Sequence, residues 1–174
     1  MKKLDPKTNL KVNKNKFMKR HPALIPLSQD HHKGLLLAQL IKKDAPNYNG
    51  LPNDLIGKMN YAKEVYTDDL VQHFKDEEEL VFPFLKGKNK EVDKLISEIL
   101  NEHILLKQKI ISLDKNSDLI NQLDEIGILL DEHIRKEERI LFEKAQVLLN
   151  EEELKMIEKK FDENRPNKSC KNKT

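Results

Sequence analysis

The sequence predicts an all-α fold: an up-down-up-down four-helix bundle with a short fifth C-terminal helix and disordered basic tails. Three observations carry that prediction. Charged residues make up 36% of the chain beside only 5 Gly and no Trp, a composition suited to helices. Apolar residues recur at steps of three and four over long runs, the period of one helical face. No stretch shows the alternation expected of a half-buried strand. At 174 residues the chain suits one domain, expected over 21–162, between tails at 1–20 and 163–174.

The elements follow in order. His21-Pro22-Ala23-Leu24-Ile25-Pro26 reads as an extended lead-in, because each proline biases the residue before it away from helix. Ser28 is the expected cap of a first helix that ends near Asp44. Residues 45–53 are rich in turn formers. A second helix is expected from about Asp54 to Pro83, with Leu55, Met59, Ala62, Tyr66, Leu70, His73, Glu77 and Leu80 along one stripe. Pro83 and Gly87 are expected to stop it. A third helix fits 90–113, with Leu95, Ile99, His103 and Leu106 on one face. Ser117 is placed to cap a fourth helix running to about 148. Asn150-Glu151-Glu152-Glu153 reads as a capping box opening a short fifth helix that ends near Asp162.

The ends of the chain are basic. The first twenty residues contain a single acid, Asp5, and none follows Asn164. No aromatic residues are interleaved as base-stacking would require, so nucleic acid is not an expected partner and the tails read as solvated. No apolar run reaches the ~20 residues of a membrane helix, and no secretory signal opens the chain. The lone cysteine, Cys170, builds neither a disulfide nor a thiolate site. The expectation is a cytoplasmic protein, with homodimerisation left open.

One repeat stands out. His73-Phe-Lys-Asp-Glu-Glu-Glu-Leu-Val-Phe82 and His133-Ile-Arg-Lys-Glu-Glu-Arg-Ile-Leu-Phe142 share a His, a Glu four places on and a closing Phe. His31 and His103 each follow an acid, with an aliphatic residue four places before. Every long helix therefore brings one histidine to or near its apolar stripe. Residues four apart lie about one turn apart on one helix face, so His73 with Glu77 and His133 with Glu137 each aim two donors at one point. Four imidazoles and two carboxylates exceed the needs of one tetrahedral zinc and suit two metals bridged by the glutamates. Iron leads as the cation, with manganese and zinc left open.

The pattern His31, His73-x-x-x-Glu77, His103, His133-x-x-x-Glu137 resembles the hemerythrin-like family, the HHE cation-binding domain, over about residues 21–148. Pro26-Leu-Ser-Gln-Asp-His31-His32 and the His73 phrase are typical of it. The resemblance implies a left-handed four-helix bundle around an oxo- or hydroxo-bridged di-iron centre. It also implies a small partner, a diatomic gas or peroxide. The chain departs from the dioxygen carriers of that family. Ile99 and Lys107 stand four residues either side of His103, where those proteins have a second histidine, and Glu138 stands where their aspartate falls. That departure favours sensing or detoxification over dioxygen transport. A Glu three before each histidine, the mark of ferritin-like proteins, is absent: Leu70, Leu100 and Leu130 stand there.

Alternatives remain at several positions. His31 and His32 differ by about 100° around a helix, so one at most points inward, and the acid-then-His phrase favours His31. Glu78 and Glu138 are alternative carboxylates, set aside because a five-residue offset turns a side chain about 140° away. Tyr66 reads as core packing with a phenol near the site. Phe82 and Phe142 read as packing that keeps water out. The rival functions are an iron sensor or store without turnover, and a metal-free helical interaction module.

Overall fold

The computed structural model describes residues 19–165, and every regular element among them is helical. The disordered tails expected at the two ends, and Cys170, lie outside the described residues except for Lys19, Arg20 and residues 163–165. Pro22–Leu24 forms a 3-10 turn, and α1 follows directly at Ile25–Leu40. The lead-in is therefore not extended. Pro22 and Pro26 occupy first-turn positions, where a helix needs no N–H from them. The His21 ring accepts the Ala23 N–H at 3.1 Å and caps the turn, which leaves Ser28 inside α1 rather than at its start.

The second helix, α2, is continuous over residues 55–85, opened by Asp54 accepting the Gly57 N–H at 2.8 Å. Two π turns, Tyr66–Leu70 and Glu77–Val81, interrupt its α-helical course. Pro83 does not stop it. The π turn ends just before Pro83, so the missing donor falls in the first turn of a new α segment, Phe82–Leu85. Gly87, at φ 81, ends the run. The third helix, α3, spans Lys90–Ile111, capped by Asn89. The fourth, α4, covers residues 119–148, with its own π turn at Glu137–Leu141. The expected capping box at Asn150 and Glu153 opens α5, Glu151–Asn164, two residues longer than expected.

Packing divides the interior into three levels. Leu24, Leu27, Leu80, Phe82, Ile96, Ile99, Phe142 and, from α5, Ile157 and Phe161 form one apolar cluster. Leu37, Leu70, Leu106, Leu130 and Ile134 belong to the other. Each of α1 to α4 passes from one cluster to the other, and where it crosses it carries the buried polar residues His31, His73, Asp76, Glu77, His103, His133 and Glu137. Helices α1 and α4 approach closely: a Cβ on Gly127 would lie 2.7 Å from the Ala38 carbonyl oxygen. No described helix is long and apolar enough to cross a membrane.

Candidate metal centre

The crossing level brings all six expected residues together. His31, His73, Glu77 and Glu137 each offer a donor atom, the four lying within 4.8 Å of one another, and Glu77, His103, His133 and Glu137 do the same. The two glutamates belong to both groups. Glu137 Oε2 lies 3.1 Å from His31 Nε2, while its Oε1 lies 3.2 Å from His133 Nε2 and 3.7 Å from His103 Nε2. Glu77 Oε2 faces His103 Nε2 at 3.3 Å and His73 Nε2 at 3.7 Å. Each carboxylate thus spans a histidine from either group, as a bridge between two cations must.

Local sequence explains the two glutamates. In α2 the α-helical segment Val71–Asp76 sets His73 one turn before Glu77, and α4 repeats the arrangement with His133 and Glu137. A π turn begins at each glutamate, in which the Phe82 N–H bonds the Glu77 carbonyl and the Phe142 N–H the Glu137 carbonyl. The extra residue brings the repeat's closing phenylalanine inward. Phe142 stacks on His31 with ring centres 5.6 Å apart, and Phe82 lies parallel to His103 at 6.3 Å. Phe74 stacks on His103 at 4.0 Å. Phe82 and Phe142, expected to pack and exclude water, lie against two of the four rings. Tyr66 is buried in the adjoining apolar cluster. His32 is exposed, so the choice between the neighbours falls to His31.

Sequence reasoning missed what stands behind the rings. Each histidine turns Nε2 inward and Nδ1 toward an acid on the neighbouring helix. Asp30 of α1 faces His73 at 3.6 Å, an ion-pair distance, and Glu78 of α2 bonds His103 at 2.8 Å. Glu102 of α3 bonds His133 at 2.9 Å, and Glu138 of α4 bonds His31 at 2.6 Å. The four contacts close a ring around the bundle. A carboxylate only accepts, so each Nδ1 in hydrogen-bonding range donates and its Nε2 lone pair is left for a cation. Glu78 and Glu138, set aside as misdirected ligands, are the outer partners of histidines on other helices. The visible signals were the repeated acid-His pairs, at Asp30 and Glu102, and the second glutamate of each Glu-Glu pair.

The field of the site favours positive charge. Burial lowers the His31 pKa, but Glu137 and Glu138 outweigh it and raise it to about 10. His103 is likewise raised to about 10, against its burial, by Glu137 and Glu77. Burial raises the Glu137 carboxyl, but the rings of His133, His103 and His31 hold it well below the usual carboxylate range. Both oxygens of Glu77 and Glu137, with His103 Nε2 and His133 Nε2, are buried without a hydrogen-bond partner among the described residues. Two fully buried carboxylates are costly unless cations satisfy them, whether protonated imidazoles in metal-free protein or metal ions. Four imidazole nitrogens and two carboxylates fit first-row transition metals, so the donor set and its orphaned atoms suit metal ions.

Comparison with protein families matches residues 26–145 to the Hemerythrin HHE cation binding domain. Comparisons with curated proteins and with solved structures found no match.

Proposed function

The chain belongs to the hemerythrin HHE cation-binding family, and from that membership we propose that it is a cytoplasmic di-iron protein that binds or reacts with dioxygen, peroxide or nitric oxide. The observation that carries the reading is the pair of four-residue groups sharing Glu77 and Glu137. In this reading His31 and His73 would hold one ion and His103 and His133 the other, with the two glutamates shared between them. An up-down-up-down order of α1 to α4 accounts for the way successive helices pass between the two apolar clusters in alternate directions. With two histidines and two shared carboxylates per ion, each keeps room for a small ligand. When bound, the iron pair supplies those open positions and the electrons for any redox step.

The chain's own residues do the remaining work. Asp30, Glu78, Glu102 and Glu138 set the direction of the rings, which keeps four Nε2 atoms converged. Phe74, Phe82 and Phe142 cover the rings and keep the interior dry. Ile99 and Lys107 give no additional imidazole, so both ions keep similar ligand sets. That symmetry fits sensing or detoxification better than reversible dioxygen carriage, which needs one saturated and one open ion.

The test is elemental analysis of protein purified without a metal-binding tag, paired with its near-ultraviolet and visible spectrum. About two irons per chain, with charge-transfer bands that shift on adding peroxide or nitric oxide, is the expected result. Two irons whose spectrum ignores those ligands would leave an iron sensor or store. Protein that stays metal-free after anaerobic iron addition would refute the centre.

A further inference from the structure

The ring of acids is not held equally around its circumference. Arg165, which follows α5, donates to Asp30 at 2.6 Å and also pairs with the buried Asp76, and its side chain is 8% exposed. Gln72 holds the other Asp76 oxygen at 2.6 Å. Arg20, just before the first turn, bonds both the carboxylate of Glu138, at 2.7 Å, and its backbone carbonyl, at 2.9 Å. The Arg20 guanidinium also lies over the Phe142 ring, 5.1 Å from its centre, and that ring stacks on His31. The acids behind His73 and His31 are therefore both pinned by arginines, one from each end of the domain. Arg165 reaches Asp30 through one nitrogen and Asp76 through its others, and one Arg20 nitrogen donates to both the carboxylate and the backbone carbonyl of Glu138, so each guanidinium ties its acid to a second fixed group.

The opposite side is built differently. Glu102, behind His133, pairs with Lys136. Glu78, behind His103, is 41% exposed and forms no ion pair with Lys or Arg among the described residues. A cleft of about 260 Å³ opens there, lined by Tyr66, Phe74, Lys75, Glu78, His103 and Lys107 among others. Stacking by Phe74 resists tilting of the His103 ring. Motion within the ring plane, toward the cleft, is resisted at Nδ1, among the described residues, by Glu78 alone. Lys75 and Lys107 are exposed and let the cleft admit an anionic chelator or ligand.

We infer that the two halves of the centre are kinetically distinct: the ion held by His103 and His133 exchanges first, through the cleft at Glu78, while Arg20 and Arg165 lock in the ion held by His31 and His73. Arg20 and Arg165 are positioning residues, acting through Glu138 and Asp30. This rests on the two-ion reading above.

The experiment loads the full chain with two equivalents of cobalt(II) and mixes it with excess chromophoric chelator. The expected trace has two phases, each one ion per chain. Because Arg165 acts through Asp30, the outer partner of His73, Arg165→Gln should speed the slow phase by up to about tenfold, the lower end of what losing such a partner outright costs, and leave the fast phase unchanged. Arg165→Lys should recover part of that. Arg20→Gln is an independent route to the same slow-phase effect should Arg165→Gln fold poorly, and Glu78→Gln should speed the fast phase only. A merely structural role for the arginines would speed both phases together, and that result overturns the inference. So does release of both ions in one phase from the wild-type protein. A chain that takes up no cobalt or iron, or only one ion, refutes the two-ion centre itself, and this inference with it.

Discussion

Because Glu77 and Glu137 belong to both donor groups while each histidine belongs to one, losing a glutamate and losing a histidine must have different consequences. Consider Glu137→Ala beside His133→Ala, each measured as the gain in stability on metal loading, so that packing costs common to loaded and metal-free protein cancel. With free metal at a hundred times Kd, each bound ion adds about 2.7 kcal/mol, so the wild-type protein gains about 5.4 kcal/mol from two. Removing a direct donor should weaken an ion by about 100-fold, the upper end of what losing an outer partner costs. At the same free metal that ion then sits near its new Kd and adds about 0.4 kcal/mol. His133→Ala weakens one group, so its gain falls to about 3.1 kcal/mol; Glu137→Ala weakens both, and its gain falls to about 0.8 kcal/mol. At 2–4 °C per kcal/mol for a chain of this size, loading should raise Tm by about 11–22 °C in wild type, 6–12 °C in His133→Ala and 2–3 °C in Glu137→Ala. Thermal melts followed by circular dichroism, with metal counted per chain, measure all three. Equal gains in the two variants, or Glu137→Ala holding one ion at full affinity, would refute the shared-bridge geometry.

Two further outcomes test the packing and the ring. Gly127→Ala sets a Cβ 2.7 Å from the Ala38 backbone oxygen, which cannot move aside, so an overpacking cost of about 1–3 kcal/mol should outweigh the ~1 kcal/mol helix-propensity gain. Gly34→Ala meets the movable end of Ile134 at the same 2.7 Å and should be neutral to stabilising; denaturant unfolding that ranks the two equally would count against the tight α1–α4 contact. Burial raises the Glu138 carboxyl, but its hydrogen bond to His31, then Ser28 and Arg20, lowers it from 4.5 to about 2. A lowered carboxyl stabilises the fold fully above its unfolded value and loses that effect as pH falls through its folded value. The stability difference between metal-free wild type and Glu138→Gln should therefore be constant between about pH 4.5 and 6.5, shrink toward pH 2 as Glu138 takes up a proton, and shrink again toward pH 10 as His31 loses one. Urea titrations across that range that show a difference independent of pH would refute the ion pair's role.

By itself the sequence determined the long helices and the two helix-borne His-x-x-x-Glu pairs, and it named six candidate donors with His31 against His32 left open. These depend on local geometry: a spacing of four puts two side chains on one face whatever the rest of the fold does, and an apolar stripe says which face turns inward. Tertiary structure alone decided what lies one layer out. Glu78 turned away from its own helix's histidine is useless as a ligand to it, yet it meets His103 because α2 and α3 lie side by side at that level. The same holds for Glu138 and His31. The π turns that begin at Glu77 and Glu137 carry no composition signal, and the one extra residue they insert is what brings Phe82 and Phe142 under the site. Arg20 and Arg165 read as parts of solvated tails. They meet Glu138 and Asp30 only because both ends of the domain reach the level of the candidate metal centre, an outcome set by packing between residues more than a hundred positions apart.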